Sequence, residues 1–198
     1  EQALKHVNDM ENYDKKFNFT NTTELVIRPV DHFNVTANFT YRRVNRSEMH
    51  RTVNILYGVR PGVTDAYTTG AGLNELEERT RRYDYYTGNI FGTYENTFKD
   101  AHNLKIMAGF NVETYQYKNV TAAGQNLSDE NLNDFNLISP DESGAIITTL
   151  AGGQSEYALA GFFGRLNYDF KGRYLIEASG RYDGSSRFAK GRRWDSHL

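Results

Sequence analysis

Between Glu156 and Arg187 apolar and polar positions change places at almost every residue. Ala158, Ala160, Phe162, Gly164, Leu166, Tyr168 and Phe170 fall on alternate positions, and Arg165, Asn167 and Asp169 stand between them. That is the period of a strand. After Lys171-Gly172-Arg173 the alternation resumes, with Tyr174, Ile176, Ala178, Gly180 and Tyr182 on one side and Glu177, Ser179, Arg181 and Asp183 on the other. Two strands joined by so short a turn predict an antiparallel hairpin. Each arm keeps its pattern for roughly twice the about 5–6 residues of a soluble strand, and a tilted strand needs about 9–11 residues to cross a bilayer. Tyr168, Phe170 and Tyr174 flank the turn, where an interfacial aromatic girdle lies in outer-membrane barrels. A long hairpin of a soluble β-sandwich carries the same pattern.

The rest of the chain repeats the motif. Strands are predicted over residues 16–28, 33–44, 83–98 and 104–117, ahead of 157–170 and 174–185. Residues 28–32, 99–103 and 171–173 are short turns. Residues 45–78 and 118–155, without a stable period and rich in Gly, Asn, Asp and Ser, read as long loops. The connections are thus sorted, short at one end and long at the other, as in membrane barrels with short periplasmic turns and long external loops. A sandwich has no reason to sort them. Six strands fall short of the about 8 in the smallest outer-membrane barrels. The expected fold is therefore all-β, an antiparallel transmembrane β-barrel segment of three hairpins, an open sheet on its own, with residues 1–14 as the tail of a preceding loop.

Composition narrows the alternatives. Hydrophobic residues make up 38% of the 198 and the mean hydropathy is −0.69, with no apolar run near the ~18 residues of a membrane helix. Barrel strands tolerate such values, because half of each strand faces a polar lumen. The 14 Tyr and 12 Phe suit strands and girdles. A net charge of −2 argues against a nucleic-acid partner, and the absence of cysteine removes disulfides and thiol chemistry. The opening residues lack a secretory signal pattern.

Tests for chemistry come back empty. Asp129, Asn131 and Asn133 imitate the start of a calcium loop, but Asp134 and Pro140 occupy the positions where glycine and the closing glutamate belong. Gly153-Gln154-Ser155-Glu156-Tyr157 lacks the final glycine of a nucleophile elbow. The histidines are scattered without metal spacing. No catalytic, cofactor or metal site is expected, and no enzyme activity. The residues that oppose the apolar faces are the expected lumen-facing set: Glu24, Arg42, Glu95, Glu113, Arg165, Asp169, Glu177 and Arg181. The competing reading of each is an ion pair with a neighbour. In a sandwich, the tyrosines would instead be stacking platforms for carbohydrate.

Three blocks carry a family resemblance: NIFGTYENTFKDAHNLKIMAGFNVET (Asn89 to Thr114), LNDFNL (Leu132 to Leu137) and GGQSEYALAGFFGRLNYDFKGRYLIEASGRYDGSSRFAKGRRW (Gly152 to Trp194). They resemble the barrel region of the SusC/RagA family of TonB-linked outer-membrane proteins, over nearly the whole chain from about Tyr13. The resemblance implies a barrel of about 22 strands closed by a plug domain, inserted in outer-membrane lipid. It implies import of oligosaccharides or peptides in Bacteroidetes-like bacteria, with a SusD-like surface lipoprotein as lid and the TonB complex as energy source. A siderophore or cobalamin cargo is the variant reading. Nothing in the chain matches the family's plug or energy-coupling box, and Asp195-Ser196-His197-Leu198 stands where the family continues with glycine and an aromatic-Pro-Ser stretch, so a truncated end is expected.

Overall fold

The computed structural model describes residues 12–68 and 74–197. Seven strands form one sheet: β1 (Tyr13–Val30), β2 (Phe33–Thr52), β5 (Glu75–Phe98), β6 (His102–Gln125), β7 (Thr148–Phe170), β8 (Tyr174–Ser185) and β9 (Trp194–His197), in that order across the sheet. Between β2 and β5, β3 (Asn54–Arg60) and β4 (Val63–Thr68) pair as a separate two-stranded sheet. Sequential neighbours joined by tight turns must run antiparallel. The fold is all-β, an open antiparallel sheet.

The strands outrun the alternation that announced them. The predicted loop 45–78 is a loop only in part: β2 continues to Thr52, β5 starts at Glu75, and the interval holds the β3–β4 hairpin, closed by Pro61-Gly62 with Gly62 at φ 78. Proline followed by a glycine at positive φ is the preference of a type II turn. Residues 69–73 of that loop and residues 1–11 of the expected tail lie outside the described residues. The predicted loop 118–155 likewise loses its ends to β6 and β7, and a single 3-10 turn, Phe135–Leu137, lies within it. Pro29, assigned to a turn, sits inside β1, an edge strand of this sheet, where a missing N–H costs no ladder bond. A seventh strand, β9, follows the six expected ones, and its Trp194 is opposite Gly184.

The chain divides into two compact units. One comprises residues 18–43, 83–117 and 155–197. Here the β7–β8 register sets Phe162 opposite Tyr182, Leu166 opposite Ala178, Tyr168 opposite Ile176 and Phe170 opposite Tyr174, so one face of the hairpin is apolar throughout. Contacts between Phe110 and Phe162, Tyr41 and Tyr86, and Phe19 and Tyr41 carry the same face across β6, β5, β2 and β1. The face is uncovered. Phe162 is 54% exposed, Ile176 59% and Leu25 58%. Among the described residues this unit buries no large apolar side chain, since Val44, Met49, Val53, Leu76 and Leu127 all lie in the other unit. A sandwich packs such a face against a second sheet; among the described residues nothing covers it.

The other unit, the described residues 12–17, 44–68, 74–82 and 118–154, has a small core of its own: Met49, Leu76 and Leu127, with Tyr13, Phe135, Leu137 and Ile138 packed on it. The chain after β6 is tied down by backbone and side-chain bonds. Asn126 N–H donates to the Asn74 carbonyl at 2.7 Å, the Asn74 side-chain amide to the Leu127 carbonyl at 2.8 Å, and the buried Arg51 guanidinium to the Asp129 carbonyl at 2.9 Å.

Gly109 shows how closely the strands of the first-described unit are packed. A Cβ there would stand 2.5 Å from Phe91 Cβ, 2.7 Å from the Ile90 carbonyl oxygen and 2.7 Å from Phe163 Cζ. The two phenylalanines lean over the glycine with centroids 6.3 Å apart. Gly109→Ala is expected to cost about 1–3 kcal/mol through overpacking. The cost reads as a lower temperature of conversion from the folded to the unfolded band on a semi-native gel. Gly58→Ala, where a Cβ meets nothing within 4 Å, is the control and leaves that temperature unchanged.

Candidate functional site

The polar face opposite the apolar one is built from residues that alternate with it, and the register aligns them: Arg165 opposite Ser179, Asn167 opposite Glu177, Asp169 opposite Leu175, Phe163 opposite Arg181. All eight expected residues lie on this face, but they do not converge on one point. Four of them make ion pairs within the sheet. Glu95 meets Lys105 at 3.1 Å, Arg165 meets Glu177 at 3.7 Å, and Arg181 donates to both carboxylate oxygens of Asp183, at 3.1 and 2.9 Å. Asp169 accepts from the Gly172 amide at 2.7 Å, holding the turn, and from Asn103 at 3.2 Å. Glu113 accepts from the Tyr157 hydroxyl at 3.2 Å. Arg42 donates to Asn18 at 3.3 Å. Glu24 is exposed on β1, the edge strand, and no partner is found for it among the described residues.

Toward the short turns, Glu95, Asp169 and Glu177 come together around a hollow of about 410 Å³, which Lys105, Asn167 and Leu175 also line. The hollow is open and carries acid and amide groups already engaged with one another. Its three carboxylates line the rim without converging: among the described residues no three His, Cys, Asp or Glu side chains stand close enough to share a metal ion. Asp129 instead accepts the Asn131 amide at 2.7 Å, an Asx turn.

Farther from the turns the same face carries a feature that alternation alone did not single out. Tyr85 and Tyr115 have centroids 4.9 Å apart, as have Tyr115 and Tyr157, so three rings from β5, β6 and β7 form one row. Tyr83 and Tyr117, also at 4.9 Å, form a second contact beside it. Guanidiniums cap the row at both ends: Arg42 lies 5.6 Å from the Tyr85 centroid and Arg187 lies 3.9 Å from that of Tyr157. Both are cation–π distances. The signal was present in the sequence. Tyr83 and Tyr85 share parity with Glu95, Tyr115 and Tyr117 share it with Glu113, and Tyr157 shares it with Arg165, so aromatic residues recur on the polar side of the pattern.

Known proteins of this shape exist. The chain is 29% identical over 197 residues to TonB-dependent receptor P39 of Formosa agariphila, covering 98% of this chain and 17% of that receptor. It is 25% identical over 164 residues to TonB-dependent receptor SusC of Bacteroides thetaiotaomicron, covering 81% of this chain and 15% of the other. Among solved structures it superposes on the RagAB peptide transporter with a TM-score of 0.79 at 19% identity, over 96% of this chain and 20% of that one. The same importer in its open-open state gives 0.76. No family model matches the chain. The chain is a segment of a SusC/RagA-type barrel. It spans about a sixth of the length of the curated relatives that match most of it.

In this SusC/RagA-type segment the unit that includes residues 44–82 carries its charges in a different arrangement. Glu48, buried, receives Arg46 at 3.0 Å and Arg81 at 3.0 Å, with Arg79 at 4.0 Å. Arg46 also forks onto Asp14, its Nε at 2.8 Å from one carboxylate oxygen and its Nη2 on the other. That hydrogen-bonded guanidinium holds the Asp14 carboxyl below its ordinary 3.8, against the opposing effect of desolvation. A depressed carboxylate contributes stability that is present above its unfolded value and lost as pH falls through the folded one. The Asp14–Arg46 clamp is therefore expected to hold at neutral pH and to release below about 3.8. Hydrogen exchange of the Tyr13–Phe17 stretch, corrected for the intrinsic rate, should show the release as a step in protection, and Asp14→Asn should abolish the step.

Proposed function

We propose that this segment is wall, in the physical sense, of an outer-membrane TonB-dependent importer that takes up oligosaccharides or peptides together with a SusD-like surface lipoprotein. The observation that supports it is the pair of unlike faces on one sheet. The apolar face, left uncovered by protein, suits lipid, and its aromatic residues near the turns suit the membrane interface: Tyr168 with its hydroxyl 2.7 Å from His102 Nδ1, and Phe170 stacked on Tyr174. The polar face suits a water-filled lumen. Between the two edges of the sheet, backbone groups are closed by strand pairing, which hydrocarbon demands of any spanning structure.

In this reading the segment performs no chemistry. Its turn-proximal side chains, Glu95, Arg165, Asp169 and Glu177, are stiffened by each other and by Lys105 and Asn103, and they give the lumen a fixed polar lining. Energy coupling belongs to TonB and to parts of the receptor other than this wall. The likeness to SusC and to RagAB supports both a lipoprotein partner and a polymer fragment as cargo.

Affinity-tagged full-length receptor should fractionate with the outer membrane and co-purify with a SusD-type lipoprotein, and its uptake of labelled cargo should stop when TonB is removed. Recovery from the soluble fraction, or uptake that persists without TonB, would contradict the reading.

A further inference from the structure

Most of the hydrogen-bonding capacity of the row Arg42, Tyr85, Tyr115, Tyr157, Arg187 is unspent among the described residues, with only Arg42 Nε on Asn18 and the Tyr157 hydroxyl on Glu113 engaged. Near the turns, acid meets base or amide. Along the row, neither Arg42 nor Arg187 has a carboxylate within ion-pair distance among the described residues, and both are exposed. The hydroxyls of Tyr83, Tyr85, Tyr115 and Tyr117 donate to no protein group found among those residues; only the Tyr157 hydroxyl is engaged, by Glu113. The rings meet across the strands, tilted at 54° for Tyr85 with Tyr115 and stacked at 29° for Tyr115 with Tyr157. Rings in contact with one another leave hydroxyls and guanidiniums as the groups with capacity for a ligand.

We infer that this row is a binding site for an anionic oligosaccharide, one bearing carboxylate or sulfate groups, lying across the strands; the inference rests on the import reading above and names its cargo class. Charge complementarity carries it. The row sets two permanently cationic donor groups at the ends of a line of tyrosine hydroxyls that can donate or accept, so its best complement carries negative charge and acceptor oxygens. A peptide backbone brings no charge to answer the guanidiniums. A neutral glycan can accept from them but leaves their charge uncompensated. The row crosses strands β2, β5, β6 and β7, which at about 4.8 Å per strand makes a track on the order of 15–20 Å, long enough for a short chain of sugars rather than a single ring. Carboxylate and sulfate meet guanidinium through the same paired N–H···O bonds.

The test uses the purified full-length receptor in detergent and titration calorimetry with defined probes: an oligogalacturonate, a sulfated neutral galactan oligosaccharide, maltohexaose and an oligoglutamate peptide. One or both acidic glycans should bind more tightly than maltohexaose and the peptide, with affinity falling as salt rises; which of the two wins separates carboxylate from sulfate. The double variant Arg42→Gln, Arg187→Gln should weaken the preferred acidic glycan by about tenfold or more and flatten its salt dependence, with maltohexaose unaffected. Tyr115→Phe keeps the ring and the packing and should weaken binding by about threefold to tenfold. Band conversion on a semi-native gel confirms that both variants are folded. Equal binding of acidic and neutral glycans, preference for the peptide, or an unchanged double variant overturns the inference. A receptor that fractionates with the outer membrane and imports through TonB while showing no such preference overturns the row alone, whereas loss of those properties overturns the import reading beneath it.

Discussion

Each long strand here carries two unlike faces at once, and its geometry allows that only if every residue is on the correct side. Side chains alternate with a period of two, so a slip of one residue in any strand pair would turn Phe162, Leu166 and Ile176 onto the polar face and Arg165, Asn167 and Glu177 onto the apolar one. The β7–β8 register is set by the turn, where Lys171 at φ 52 and Gly172 at φ 67 reverse the chain and Asp169 caps the Gly172 amide. Two-residue and three-residue turns between β1 and β2 and between β5 and β6 act in the same way, with His32 and the pair Lys99, Asp100 at positive φ. Short turns fix the register, and the register sorts the solvents.

The sequence showed this order only where both solvents act. Strands appeared where apolar and polar residues alternate, and ended in the prediction where the alternation ended, although pairing continues. Glu75 to Arg82 is charged or polar at both parities except for Leu76, yet it is strand, because Leu76 enters a small core with Met49 and Leu127 while Glu77, Arg79 and Arg81 pair among themselves and with Glu48. A residue pattern cannot announce a strand that is polar on both sides. The same reasoning accounts for the hairpin over 54–68, whose clearest mark is the turn at Pro61-Gly62.

The polar face was legible as a set of positions and opaque as chemistry. Parity placed Glu95, Arg165, Asp169 and Glu177 on one side, but which charges neutralise each other depends on how the strands pair, as with Arg165, which meets Glu177 from the neighbouring strand. Aromatic residues were read as belonging to the apolar side. Phe91 and Phe163 over Gly109, and the tyrosines of β5, β6 and β7, show that the polar side uses them as well, to brace the sheet from within. The contrast between the spent charges near the turns and the unspent donors along the tyrosine row divides that face into a structural part and a part open to a ligand.

The central claim is that the apolar face meets lipid and the polar face meets water. These 198 residues contain no cysteine, and single cysteines carrying nitroxide labels can be placed along β7 in a cysteine-free background of the full-length protein reconstituted into a bilayer. Collision with oxygen, which partitions into lipid, should be high at positions 160, 162, 164 and 166, and collision with a water-soluble nickel complex should be high at 163, 165 and 167. A profile with a period of two confirms the two solvents; labels at 162 and 166 that are shielded from oxygen, or open to nickel, would contradict the account.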